Sequence, residues 1–208
     1  MESGVFIAIE GIDGTGKSTQ AQLLTEKLEA TKQPVLLTRE PGGTKVGEDI
    51  RNILLTPGEE IHPWTEVFLY AAARAQLVEE VIRPALLEGT AVVCDRYILS
   101  SLAYQGAGRG GDPEKILEIN RYATGGLWPH LTVVLDLEVS LARARIRSKN
   151  SSFSGDRFEQ LEEDFYHRVR EEYLDFALKH PSWTKVVSAQ GKPEEIHQKV
   201  WFQVEDLI

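Results

Sequence analysis

Gly11-Ile12-Asp13-Gly14-Thr15-Gly16-Lys17-Ser18 is the stretch whose reading decides the fold. It matches G-x-x-x-x-G-K-[ST] at every fixed position, and Thr19 follows. Glycines let such a loop curl until its backbone N–H groups point inward at phosphate oxygens. Lys17 then reaches the outer phosphates and the Ser18 hydroxyl holds Mg²⁺. The stretch before it, Val5-Phe6-Ile7-Ala8-Ile9, is a short apolar run that reads as a buried parallel strand. After it, Ala21, Leu24 and Leu28 recur at helical spacing. A strand, a glycine loop and a helix in that order are the context the motif needs, and the helix N-terminus adds its own attraction for an anion.

The pattern repeats outward. Pro34 to Thr38, Ala91 to Cys94, Leu131 to Leu135 and Lys185 to Val187 read as four more strands. Between them run helical stretches at 47–55, 64–88, 113–124, 141–176 and 193–207. Pro84 predicts a kink in the second of these, and Gly89 a C-cap. Residues 106–111 read as a glycine-rich loop. The polar segment 148–155 breaks the long 141–176 stretch. Strands alternating with helices predict one α/β domain over 1–208, with a five-stranded parallel sheet covered on both faces. Arginines flank the polar break, as they do in a mobile lid that closes over a site, and the lid is placed at about 143–157.

Composition narrows the partners. The chain has 208 residues, 42% of them hydrophobic, and a net charge of −9. An acidic chain is a poor match for DNA or RNA, which need a basic face. No apolar run approaches the ~20 residues that cross a membrane. Residues Met1 to Val5 carry no basic n-region, so no secretory signal is expected. A single cysteine, Cys94, forms no internal disulfide and fits a reducing, cytoplasmic setting. Arginines at the strand ends and on helices toward the crevice offset the net charge locally: Arg39, Arg51, Arg74, Arg96, Arg143, Arg145 and Arg147. Their planar forks suit phosphate. The magnesium also needs a carboxylate at a neighbouring strand end. Asp95 and Asp136 both qualify; Asp95 is favoured because Arg96 follows it, leaving Asp136 as a cap for the helix near Val139. A regulatory GTP switch would need an Asn-Lys-x-Asp guanine reader, and none occurs in the sequence; the loop is read as an ATP site.

Several strings taken together resemble the bacterial thymidylate kinases. They are Gly11 to Thr19, Thr38-Arg39-Glu40-Pro41-Gly42-Gly43-Thr44, Tyr70-Ala71-Ala72-Ala73-Arg74, Asp95-Arg96-Tyr97 and Ser100-Ser101-Leu102-Ala103-Tyr104-Gln105-Gly106. Gly155-Asp156-Arg157 ends the lid. The resemblance implies the three-layer P-loop kinase fold, transfer of phosphate from ATP to dTMP, and a homodimer packed through helices. It further implies that Asp13 accepts from the acceptor's 3′-hydroxyl and that Tyr70 stacks on thymine. Arg74 would donate to a thymine carbonyl, Ser101 and Gln105 would read the base edge, and Tyr104 would crowd the 2′ position. Arg39 and Arg96 would grip the acceptor phosphate, with Arg51 lining the same pocket. One branch of the family carries an arginine in the phosphate loop. Here that position is Gly14 or Thr15, so this chain resembles the other branch. Arg147 and Arg143 are then expected to stabilise the transferring group, with Arg145 pointing away.

Overall fold

The computed structural model describes residues 4–58, 60–149 and 162–208. Five strands form one parallel sheet: β1 (Phe6–Glu10), β2 (Val35–Arg39), β3 (Ala91–Asp95), β4 (Leu131–Asp136) and β5 (Thr184–Ser188). Their order is β2-β3-β1-β4-β5, with β1 at the centre. Every residue of β1 is buried. Its alternation feeds two cores, because side chains along a strand point to opposite faces. Ile7 and Ile9 join one cluster with Leu24 and Leu28 of the first helix; Phe6 and Ala8 join the other with Leu77, Ile82 and Leu86. A strand apolar at each position from Phe6 to Ile9 is what a sheet covered on both faces requires.

The helices are α1 (Lys17–Ala30), α2 (Lys45–Leu55), α3 (Pro63–Leu77), α4 (Arg83–Leu87), α5 (Ile98–Ser101), α6 (Pro113–Thr124), α7 (Val139–Lys149), α8 (Glu163–Lys179) and α9 (Pro193–Val204). The kink expected at Pro84 takes a particular form. Val78–Ile82 widens into a π-helical turn, and the Arg83 N–H reaches back to the Val78 carbonyl. That longer reach sits just ahead of a residue that has no N–H to give.

Two expectations are corrected. Residues 106–111 are not simply a glycine-rich loop: Leu102–Gly108 continues α5 as a π-helical segment. Its glycine serves packing, since a Cβ on Gly108 would lie 2.4 Å from the Phe165 ring of α8. Asp136 does not serve as the expected helix cap. Its oxygens accept from Arg170 Nε at 2.6 Å and Nη2 at 3.1 Å, which ties the end of β4 to α8. The expected lid at 143–157 falls partly on residues 150–161, outside the described residues, and Gly155, Asp156 and Arg157 fall there too.

Candidate active site

Parallel strands all point their carboxyl ends to one side, and a crevice opens there. The 11–18 loop leaves β1 into that crevice. Gly16 immediately precedes α1 at φ 94°, a left-handed conformation that only glycine adopts at little cost. Helix α1 starts with no side-chain cap, so its first N–H groups remain available to a ligand. Gly14 lies against α7: a Cβ there would sit 2.3 Å from the Ala142 carbonyl. An arginine at this position would push α7 off the loop.

Lys17 is buried, and its Nζ donates to the Ile12 carbonyl at 2.9 Å. Burial and the neighbouring Arg96 charge push its pKa down to about 8. Asp13 lies 3.8 Å from Lys17 and is bonded to Arg96 Nη2. Burial alone would raise its pKa, but the charges of Arg96 and Lys17 outweigh that and hold it below the usual carboxylate range. Its second oxygen accepts from Tyr104 Oη at 2.9 Å. A carboxylate has about four acceptor positions, so room remains for a sugar hydroxyl.

Ser18 Oγ donates to Asp95 Oδ2 at 2.5 Å. Asp95 Oδ1 is buried without a hydrogen-bond partner. A hydroxyl beside an unpartnered carboxylate oxygen suits Mg²⁺, which takes one or two protein ligands and fills its shell with phosphate and water. Among the described residues there is no cluster of three or more acidic, cysteine or histidine side chains that would form a self-contained cage.

Arg96 follows Asp95 with φ 72°, an uncommon conformation for a residue with a Cβ. The turn is held by the buried Glu10, whose oxygens accept from the Tyr97 and Ser100 N–H groups at 2.8 and 3.1 Å, from Ser100 Oγ at 2.6 Å and from Tyr173 Oη at 2.9 Å. Burial raises the pKa of Glu10 despite those donors. The guanidinium of Arg96 lies over the Tyr104 ring, 4.8 Å from its centroid. Strain at φ 72° is thus offset by a carboxylate placed beneath the turn.

Two cavities meet at these residues. The larger, about 570 Å³, is lined by residues 13–20 with Arg39, Asp95, Arg145, Gly191 and Pro193. The smaller, about 110 Å³, is lined by Leu55, Tyr70, Ser100, Ser101, Tyr104 and Gln105. Asp13, Glu40, Arg51 and Arg96 line both. Arg51 Nη1 donates to the Pro41 carbonyl at 2.9 Å. Arg39 is more exposed and pairs with Glu48 at 3.1 Å. Gly11 and Ile12 form the base of the loop; Thr19 faces solvent on α1.

The α7 arginines are placed the other way round from the expectation. Arg145 lines the larger cavity and its Nη2 donates to the Ala189 carbonyl at 3.0 Å. Arg143 and Arg147 do not line it. Arg143 lies over the Tyr166 ring at 5.8 Å, and Arg147 is exposed. Helical periodicity explains the split, since residues four apart share a face and the residue midway between them takes the opposite one.

Arg74 also departs from its expected place. It is 1% exposed, and its five N–H groups are all committed. Nε bonds the Glu40 carboxylate at 2.8 Å; Nη2 bonds Glu40 at 2.5 Å and the Tyr97 carbonyl at 3.0 Å. Nη1 bonds Ser101 Oγ at 3.0 Å and Asn120 Oδ1. It offers a base carbonyl no donor unless one of these bonds is exchanged. Sequence reading assigned no role to Glu40, Asn120, Glu10 or Glu66. Glu40 stood inside one of the quoted strings and Glu10 ended an apolar strand; Asn120 and Glu66 left no trace.

The thymidylate kinase family model matches residues 9–200. A thymidylate kinase of Pelotomaculum thermopropionicum is 48% identical over 206 residues, covering 99% of this chain and 94% of the relative. One of Deinococcus radiodurans is 45% identical over 206 residues, covering 99% and 98%. The crystal structure of thymidylate kinase from Ehrlichia chaffeensis superimposes with a TM-score of 0.80 at 30% identity, covering 97% of this chain and 99% of that one.

Proposed function

The chain belongs to the thymidylate kinase family, and from that premise we propose that it transfers the terminal phosphate of ATP to dTMP across the junction of its two cavities. The observation that carries this reading is their shared wall, Asp13, Glu40, Arg51 and Arg96. The larger cavity suits a nucleoside triphosphate, and the smaller suits a single ring with its sugar at Tyr104. Their junction is where two anions would have to meet.

An oxygen of the dTMP phosphate attacks the terminal phosphorus of ATP while the bond to the ADP oxygen breaks. The attacking oxygen is already ionised, so no general base is needed. What the site must supply is alignment and positive charge. Lys17 and the uncapped amides of α1 hold the triphosphate. Arg96, aided by Arg39 and Arg51, holds the acceptor phosphate. Arg145 supplies the charge from α7, with Arg143 and Arg147 facing elsewhere. Mg²⁺ would be held by Ser18 and Asp95, and when bound it neutralises phosphate oxygens. Asp13 takes the sugar hydroxyl, and Tyr70 stacks on the base as aromatic rings do. Ser101 and Gln105 read the base edge.

The active form is read as a homodimer of single-domain subunits in the cytoplasm. Ile53 of α2 and Phe68 of α3 support the dimer: they are 52% and 56% exposed on two helices that pack together. No described helix is long and apolar enough to cross a membrane. A panel of dTMP, dUMP, UMP, CMP and thymidine, with ATP and Mg²⁺ constant, tests the activity. Turnover should be highest with dTMP and nil with thymidine, which lacks the accepting phosphate. A preference for a ribonucleotide would overturn the assignment.

A further inference from the structure

Gln105 carries an amide, and an amide can present either its carbonyl or its NH₂ to a ligand. Which one it presents is decided behind the pocket wall. Gln105 Nε2 donates to Glu66 Oε1 at 2.8 Å. Glu66 is fully buried, and its Oε2 lies 3.4 Å from Arg109 Nη2. A carboxylate only accepts, so it forces the NH₂ of Gln105 toward itself. Gln105 Oε1 takes no hydrogen bond among the described residues, and the side chain lines the smaller cavity.

The neighbouring hydroxyl is polarised in the opposite sense. Ser101 Oγ accepts from Arg74 Nη1 at 3.0 Å. Its proton has no acceptor among the described residues, and Ser101 lines the same cavity. The wall therefore offers one hydroxyl donor and one carbonyl acceptor. A pyrimidine with a ring N–H beside a carbonyl matches that pair. With Gln105 Oε1 read as facing the ring N–H and Ser101 Oγ as facing the adjacent carbonyl, cytosine mismatches both positions, because its ring acceptor and its amino donor stand in the exchanged order.

We propose that Glu66 is a positioning residue for acceptor choice: anchored by Arg109, it locks the Gln105 carbonyl toward the base and so excludes cytosine nucleotides. The proposal rests on the reading of the smaller cavity as the acceptor site. Residues 66, 105 and 109 form a chain of charge and dipole in which only Gln105 meets the ligand.

Glu66→Gln tests it. The new amide has one oxygen, and Arg109 competes for it as the stronger donor. The new NH₂ then faces Gln105, which turns its own carbonyl to meet it and its NH₂ to the cavity. The kcat/KM ratio of dTMP to dCMP should fall roughly 10- to 100-fold, the effect of mispairing one buried polar group. The dTMP loss should lie in KM, with kcat little changed. The ratio of dTMP to dUMP should stay constant, because both present the same edge. A merely structural role would depress all three acceptors alike, and that result overturns the proposal. Should Glu66→Gln not fold, Glu66→Met, which favours neither amide orientation, is read by the same ratio. A wild-type protein inactive on dTMP would refute the kinase reading instead, so the two failures are distinguishable.

Discussion

Raising the pH should weaken ATP binding through Lys17 before it disturbs anything else in the loop. The lysine is buried with a pKa of about 8, against an ordinary value of 10.5. Burial and Arg96 lower it in the unliganded chain; a triphosphate against Nζ adds negative charge and restores the protonated form. If binding returns the pKa to its ordinary value, the bound triphosphate favours the charged lysine by about 3 kcal/mol. The sign follows directly. Below pH 8 both free and bound forms are protonated and affinity is flat. Above it the free enzyme must take up a proton to bind, so affinity falls about tenfold per pH unit until the bound form also titrates. Between pH 7 and 9.5 the loss should be about 30-fold. Calorimetric titration with a non-hydrolysable ATP analogue, in buffers of different ionisation enthalpy, reads both the affinity and the proton taken up. ATP's own phosphates are fully ionised across the upper part of this range and do not contribute. Lys17→Ala should bind weakly, turn over almost nothing, keep its fold and lose the pH dependence above 8. Constant wild-type affinity to pH 10 with no proton uptake would show that Lys17 does not meet the triphosphate.

Three further outcomes follow from the same geometry. Arg145→Ala should impair ATP use, in KM or kcat, more than tenfold, whereas Arg143→Ala should change it little; equal steady-state effects would cancel the assignment of α7 faces. Glu40→Gln leaves the Arg74 charge buried without its counter-ion, which costs about 3–5 kcal/mol. For a chain of this size that lowers Tm by roughly 10 °C, and a calorimetric shift under about 2 °C would mean that the pair carries no such load. Phe68→Asp should convert the homodimer to monomer in sedimentation velocity; an unchanged sedimentation coefficient would move the interface away from α2 and α3.

The local pattern carried a large part of this. Residues 11–18 need only glycine geometry, one lysine and one hydroxyl at fixed spacing, and these are properties of consecutive residues. The alternation of Phe6, Ile7, Ala8 and Ile9 between two cores required only that an apolar strand be covered on both sides. Asp95 was chosen over Asp136 from its place before Arg96, and Asp136 proved to bond Arg170, a residue 34 positions away. That partner is invisible to spacing.

Orientation was another matter. The α7 arginines sit two residues apart, so periodicity divides them into two faces, but only the docking of Ala142 against Gly14 decides which face looks at the cavity. Arg74 stood in a recognisable string, yet its bonds to Glu40 and Asn120 span 34 and 46 residues and turn a donor into a support. Glu66 and Arg109 carry no motif at all. Sequence alone thus determined the chemistry on offer, because loop, strand and helix arise from neighbouring residues. Tertiary structure decided which charges remain available to a ligand, because a buried ionic group is satisfied by whatever distant partner the packing brings to it.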